Sequence, residues 1–437
     1  MKISERKKRK EEKIKEQEHM ITCSIPNEMV IEILGRVGCQ DLVENLKLVC
    51  RKWYSIISNG SFAYSHYFEH MVRKSSSFSQ LKTLVISTAD GKSVTISSVG
   101  WHNNNNNLKD HPFINMRSNP PKDLLTIEYV LGTRIDQMSF QKTNCVNGFV
   151  CFWSTHHAHF HICNPMTMEY VTIPLNPYWS SLRRDNYTTI AGLGFCPISY
   201  QYKVVVFQHE YGVDVPESET IKGSISTING NDQSWRPLKW DYHSLVPADS
   251  RSAACVDGVL YWCATKNHRY DPYDHYKFES ETTTKLVAFD VAKEVSYLIE
   301  VPIESLEENV SIEEKGGKIC LMTKEMCLES THILFKGYIA HDDLESLNSW
   351  TLEFSVTIYD IYDIHCVAHM SFTNEILMVD TFENTMGFFD VATGKLLDQF
   401  RSSTLAAAVL IPYVPSLIPL RHRPIRENFY LDALCRL

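Results

Sequence analysis

Several things are missing from this 437-residue sequence, and each absence removes a class of function. There is no phosphate-binding GxxxxGK[ST] loop, no GxGxxG dinucleotide turn, no GxSxG nucleophile elbow and no HExxH zinc helix. Positive charge is not in excess: 43 Lys and Arg stand against 52 Asp and Glu, a net charge of −9. A general nucleic-acid or anionic-membrane binder needs the opposite balance. The 13 cysteines are odd in number and contain no CxxC pair, so neither a zinc framework nor a disulfide framework is expected. The longest apolar run, Leu405 to Leu420, is interrupted by Pro412, Pro415 and Pro419 and falls short of the roughly 20 residues of a membrane span. The first twenty residues carry charge but no apolar core, unlike a signal peptide. A cytoplasmic or nuclear setting is expected, with free thiols and no cofactor.

What is present divides the chain by periodicity. Residues 1–20 form a charged tail, expected to be disordered, whose Arg6–Lys10 run reads as a solvated helix start rather than an import signal. Residues 21–68 read as helices. Pro26 sits in a first turn, and Met29, Val30, Ile33, Leu34 and Val37 recur at helical spacing. Asp41 and Glu44 have the spacing of a capping box, ahead of a stripe of Leu42, Leu46, Val49, Trp53, Ile56 and Ile57. So short a unit with so many apolar positions is expected to cover itself with a partner. From residue 78 to 422 the pattern changes to short β-branched and aromatic runs separated by Gly, Asn, Asp and Pro, and residues 423–437 form a C-terminal tail. The fold class is therefore α+β multidomain: a small all-α module, then a large all-β domain. A propeller or a double sheet suits its length better than one sandwich.

Two elements recur in the same order three times. The first is a turn and a strand: Asn147-Gly148 before Phe149–Phe152, Asp257-Gly258 before Val259–Trp262, and Thr373-Asn374 before Glu375–Met378. The second is strand, turn, strand, centred on Asn164-Pro165-Met166-Thr167, Asp290-Val291-Ala292-Lys293 and Asp390-Val391-Ala392-Thr393. In each, an apolar strand ends at Asn or Asp, whose side chain bonds locally to start the turn. Shared order and shared turn chemistry are how propeller blades read, without giving their number.

At this point the sequence resembles two families. Ile25-Pro26-Asn27-Glu28, Ile33-Leu34, Asp41-Leu42, Leu48-Val49-Cys50-Arg51-Lys52-Trp53, Ile56-Ile57, Phe62 and His66 resemble an F-box, with Ile25 where Leu is usual and Gly38 where many plant members have Pro. Asn164–Thr167, Gly192–Pro197, Ser234-Trp235-Arg236, Asp257–Trp262, Phe289–Val291, Ser349-Trp350-Thr351 and Tyr413–Leu417 resemble the F-box-associated domain of plant F-box proteins. There Cys196 and Gln201 replace acidic positions, and Tyr261 replaces a common His. The resemblance implies a substrate receptor of an SCF-type ubiquitin ligase with no catalysis of its own. The F-box would bind a Skp1-like adaptor and, through it, cullin and a RING protein, and the β domain would bind an unknown target protein. It assigns Ile25, Pro26, Ile33, Leu34, Leu42, Leu46, Leu48, Val49, Trp53 and Ile57 to the adaptor-binding module, about half as contacts and half as the module's own core. A propeller hydrolase, or a binding protein that joins no ligase, are the alternatives.

Target contacts would lie on loops, and the aromatics Trp101, Trp179, Tyr187, Tyr270 and Tyr273 are the candidates there. One cluster suggests metal: His157, His159 and His161 would share a strand face. Neighbours two apart on a strand stand about 7 Å from each other. That spacing is too wide for one tetrahedral ion, so these histidines are expected to face solvent, with no metal bound.

Overall fold

The structure is a computed structural model. It describes residues 25–73 and, between 82 and 420, the strands and tight turns given below. Two compact units result, one helical and one of strands.

The helical unit comprises α1 (Asn27–Gly35), α2 (Cys39–Glu44), a 3-10 turn (Leu46–Leu48), α3 (Arg51–Ile57) and α4 (Gly60–Arg73). Val30 and Leu34, one helical turn apart, turn inward from α1 and join Cys39, Leu42, Ile57, Phe62, Ala63, Tyr64 and Tyr67 in a small core. His66 is buried among them, its Nε2 2.7 Å from the Val37 carbonyl and its Nδ1 3.8 Å from Cys39 Sγ. Asn59 caps α4 by accepting from the N–H groups of Ser61 and Phe62. Two expectations are corrected. The Asp41–Glu44 capping box does not form, because α2 already starts at Cys39 and places Asp41 within its first turn, where its carboxylate accepts from Asn45 Nδ2. The stripe from Leu42 to Ile57 is not one helix: it breaks at the 3-10 turn and at Cys50, whose backbone is extended.

The second unit is built of six antiparallel sheets among the described residues. The first contains β1 (Lys82–Ser87), β2 (Ser93–Gly100) and β3 (Lys122–Glu128). The second is β4 (Phe140–Val146), β5 (Phe149–Ser154), β6 (His159–Asn164) and β7 (Glu169–Pro174). The third is β8 (Tyr187–Cys196), β9 (Gln201–Glu210), β10 (Ile221–Thr227) and β11 (Trp235–Leu238). The fourth has β12 (Leu245–Pro247) and β13 (Ala254–Val256) both on β14 (Val259–Lys266), then β15 (Thr284–Asp290) and β16 (Val295–Glu300). The fifth is β17 (Val310–Lys315), β18 (Lys318–Cys327), β19 (His332–Ala340) and β20 (Trp350–Tyr359). The sixth is β21 (Cys366–His369), β22 (Glu375–Asp380), β23 (Thr385–Asp390) and β24 (Leu396–Arg401). The last strand, β25 (Val409–Tyr413), returns to pair with β1, so the first sheet is shared by the two ends of the domain. This is the architecture of a β-propeller, in which radial repetition leaves only short edges.

Inner strands such as β14 and β18 pack both faces, which explains their continuous apolar runs. In β14, Val259, Tyr261 and Cys263 meet Ile312, Ile319 and Leu321 of the fifth sheet. The alternate residues Leu260, Trp262 and Ala264 meet Val205 and Phe207 of the third. In β18 the same alternation sends Ile319 and Leu321 one way and Cys320 and Met322 the other, toward Phe389 and Val391. Burying a Phe or Leu completely stabilises by about 1.5–3 kcal/mol, and Phe207, Phe289 and Phe335 are fully buried in these seams.

The repeated turns behave as their chemistry requires. Asn147-Gly148 and Asp257-Gly258 each have positive φ at both positions, as two-residue hairpin turns of the I′ kind need. Asn164 Oδ1 accepts from Met166 N, and Asp290 Oδ1 accepts from Ala292 N and Lys293 N, both at 2.9 Å. Asp390 Oδ1 accepts from Thr393 N. Each of these three turns then passes through a left-handed residue, Met168, Glu294 or Gly394, before the next strand. Thr373-Asn374 lies outside the described residues.

Candidate protein-interaction surfaces

The helical unit leaves an unusual amount of apolar surface uncovered. Leu48 is 78% exposed, Val49 59%, Tyr54 55%, Met29 54% and Ile33 51%. Met29 and Ile33 are one turn apart on α1, on a flank beside the inward-facing Val30 and Leu34. Ile25 and Pro26, just before α1, are exposed as well. Leu48 and Val49 stand at the end of the 3-10 turn, where Lys47 Nζ lies 5.1 Å from the centroid of the Tyr54 ring.

Of the ten residues assigned to the adaptor-binding module, Ile25, Pro26, Ile33, Leu48 and Val49 are exposed, and Leu46 and Trp53 are half-buried. Leu34, Leu42 and Ile57 are buried in the unit's own core. Met29, Ile31, Tyr54 and Phe68 are exposed apolar residues that the sequence pattern alone left unassigned. Helical periodicity could have singled out Met29 as the neighbour of Ile33, but nothing in the sequence distinguishes the outward Tyr54.

Of the aromatics singled out as target contacts, Tyr187 opens β8 opposite Glu210. Trp101, Trp179, Tyr270 and Tyr273 lie outside the described residues. The strands flanking the Trp179 and Tyr270 stretches, ending at Pro174 and Lys266, stop at the sheet end away from the Asn-Gly and Asp-Gly turns.

The histidine cluster is corrected in one respect. His161 is buried rather than solvent-facing: it stacks on Phe152 with ring centroids 5.1 Å apart, and Thr172 Oγ1 lies 3.3 Å from its Nδ1. β6 is an inner strand buried on both faces, so alternation does not carry a side chain to water there. His159 shares that face, and His157 lies outside the described residues. No group of three or more His, Cys, Asp or Glu among the described residues could hold a metal ion.

The thiols divide by environment. Burial pushes Cys145, Cys151 and Cys320 up to about 12 and Cys255 to about 11, which suits packing and not nucleophilic attack. Cys196 is drawn below the usual thiol range. Burial opposes that shift, and hydrogen bonds from Ser199 and Ile198 together with the Lys203 ammonium outweigh it. Cys196 occupies the place in its hairpin that Asn164, Asp290 and Asp390 hold in theirs: Ser199 N lies 3.4 Å from its sulfur, and Tyr200 is the left-handed residue.

Comparison with known proteins agrees with both units. The family model of the F-box associated beta propeller domain matches residues 102–382, and an F-box-like model matches residues 22–69. The chain belongs to the family of F-box associated β-propeller proteins, with an N-terminal F-box before the propeller domain. An F-box protein of Arabidopsis thaliana is 26% identical over 244 residues, covering 56% of this chain and 56% of the relative. A second F-box protein from the same plant is 23% identical over 307 residues, covering 67% of this chain and 66% of the relative. The chain thus spans between about half and two thirds of the length of these curated relatives. Among solved structures, one in a crystal structure of a nidogen/laminin complex aligns over 77% of this chain and 99% of its own, at 12% identity and a TM-score of 0.38.

Proposed function

We propose that this chain is the substrate receptor of an SCF-type ubiquitin ligase. Its F-box takes a Skp1-type adaptor, through which cullin and a RING protein are recruited, and its propeller takes the protein to be modified. The observation that carries the reading is the set of exposed apolar residues Met29, Ile33, Leu48 and Val49 within a segment matched by the F-box-like model. Soluble units seldom leave such a patch uncovered unless a partner fills it. In this reading the chain makes and breaks no bonds. It works by effective concentration, holding a target lysine near a ubiquitin thioester carried by another subunit. The setting would be the cytoplasm or the nucleus, and the target contacts would come from the propeller's loops.

The test is capture of a purified Skp1-type adaptor by the full chain, beside a chain carrying Ile33→Asp and Val49→Asp. Retention by the intact chain alone supports the reading. A folded intact chain that retains no adaptor overturns it.

A further inference from the structure

The exposed residues Leu48 and Val49 are held out on a weak support. The 3-10 turn at Leu46–Leu48 is three residues long and contributes no buried side chain, and no side chain caps it. Runs of this kind are short because their hydrogen-bond geometry is poor. Two backbone bonds close it, Leu48 N to Asn45 O at 3.3 Å and Val49 N to Leu46 O at 3.2 Å. Cys50 then adopts an extended backbone, so helical bonding does not run on from the turn into α3. Lys47 reaches across this break: its ammonium lies over the ring of Tyr54, in the first turns of α3. A cation over an aromatic face is attracted by the ring's quadrupole.

We infer that Lys47 and Tyr54 act as a positioning pair, fixing the turn so that Leu48 and Val49 are presented to the adaptor in one orientation. This rests on the adaptor-binding reading above. Without the pair, Leu48 and Val49 would sample several orientations, and ordering them would be deducted from the binding free energy. Neither residue has to touch the adaptor for this to operate.

The experiment measures the affinity of the full chain for a Skp1-type adaptor by calorimetry, together with the chain's own melting temperature. The variants are Lys47→Met, Tyr54→Leu, the double variant Lys47→Met/Tyr54→Leu, and the conservative changes Lys47→Arg and Tyr54→Phe. Lys47→Met and Tyr54→Leu are each expected to weaken binding about two- to fivefold. The double variant should be no weaker than either single one, since both remove the same interaction. Lys47→Arg and Tyr54→Phe keep a cation and a ring and should bind like the parent chain, with melting temperature unchanged throughout. Additive losses, equal losses in the conservative variants, or no loss at all would overturn the positioning role while leaving adaptor binding intact. A parent chain that does not bind the adaptor would overturn both.

Discussion

Asn164 Nδ2 donates to the carbonyl oxygen of Ile418 at 2.8 Å, linking residues 254 positions apart. The same nitrogen lies 2.9 Å from the Ser416 carbonyl, while Oδ1 accepts from Met166 N within the turn. In the matching turns of the fourth and sixth sheets the residue is Asp290 or Asp390, which accepts turn N–H groups. An amide is needed at 164 because only there must the side chain also donate. Asn164→Asp keeps the turn acceptor but sets a carboxylate against two carbonyls in a fully buried place. It is expected to destabilise at least as much as Asn164→Ala, which should cost about 2–4 kcal/mol from several lost buried hydrogen bonds. Melting curves of the two variants check the order. An Asp variant as stable as the parent chain would contradict the double role.

The apolar face of the F-box separates surface from support. Ile33→Asp should abolish adaptor capture, a loss of 2 kcal/mol or more as at interface hot spots, while leaving circular dichroism and melting unchanged. Leu34→Asp, one residue along and fully buried, should unfold the helical unit, because an unpaired carboxylate cannot be accommodated there. If the two variants behaved alike in melting experiments, the division between exposed and buried positions would be wrong.

The third and fourth sheets are joined by charge. Glu294 receives Lys203 Nζ at 2.8 Å and a further hydrogen bond from Arg236, and Lys203 also donates to the Val291 carbonyl. Burial alone would raise the Glu294 carboxyl, but the hydrogen bonds and charges of Arg236 and Lys203 hold it below the usual range of about 4.5. A carboxyl depressed in the folded state stabilises above its unfolded pKa, and that contribution disappears as pH falls through the folded value. The parent chain should therefore lose stability below about pH 4.5 more steeply than Glu294→Gln, whose stability is lower at neutral pH. Melting temperature against pH for both proteins tests this. Parallel curves would show that the cluster contributes nothing.

Two glycines with the same backbone distinguish strain from crowding. Gly148 and Gly317 both have φ of +81°, but a Cβ on Gly148 would lie 2.1 Å from Ser416 Cβ, whereas one on Gly317 would meet nothing within 4 Å. Gly317→Ala should cost about 1–2 kcal/mol from the left-handed backbone alone. Gly148→Ala should cost clearly more, since the segment after β25 would have to move. Equal losses on thermal unfolding would mean that the segment yields freely.

The propeller was readable where local chemistry and tertiary role coincide. The second, fourth and sixth sheets use Asn or Asp in their hairpins, so their repeats are visible as sequence. In the third sheet the first hairpin turns on Cys196, where a sulfur does what oxygen does in the last hairpins of those sheets, so a search for Asn or Asp misses it. In the fifth sheet the first turn ends on Gly317 and is capped by Glu314 three residues before it, so it carries no Asn-Gly or Asp-Gly pair to mark it. The outward set of F-box residues was only half legible. Periodicity places Ile33 and Leu34 on one helix, but which of two neighbours faces inward is decided by α4, whose packing the local pattern does not encode. The capping box misled because Asp41–Glu44 has the right spacing while Gly38 lets the helix start earlier.

The pairing of β25 with β1 has a consequence for how the protein is made. Three strands of the first sheet are synthesised before all the others in the domain, and the strand that completes the ring comes last. Until Val409–Tyr413 leaves the ribosome, β1 stays an open edge, and open edges recruit other chains. A stop codon removing only the final thirty residues would therefore leave a ring that cannot be zipped, and the product would be cleared or aggregate instead of persisting as a slightly shorter receptor.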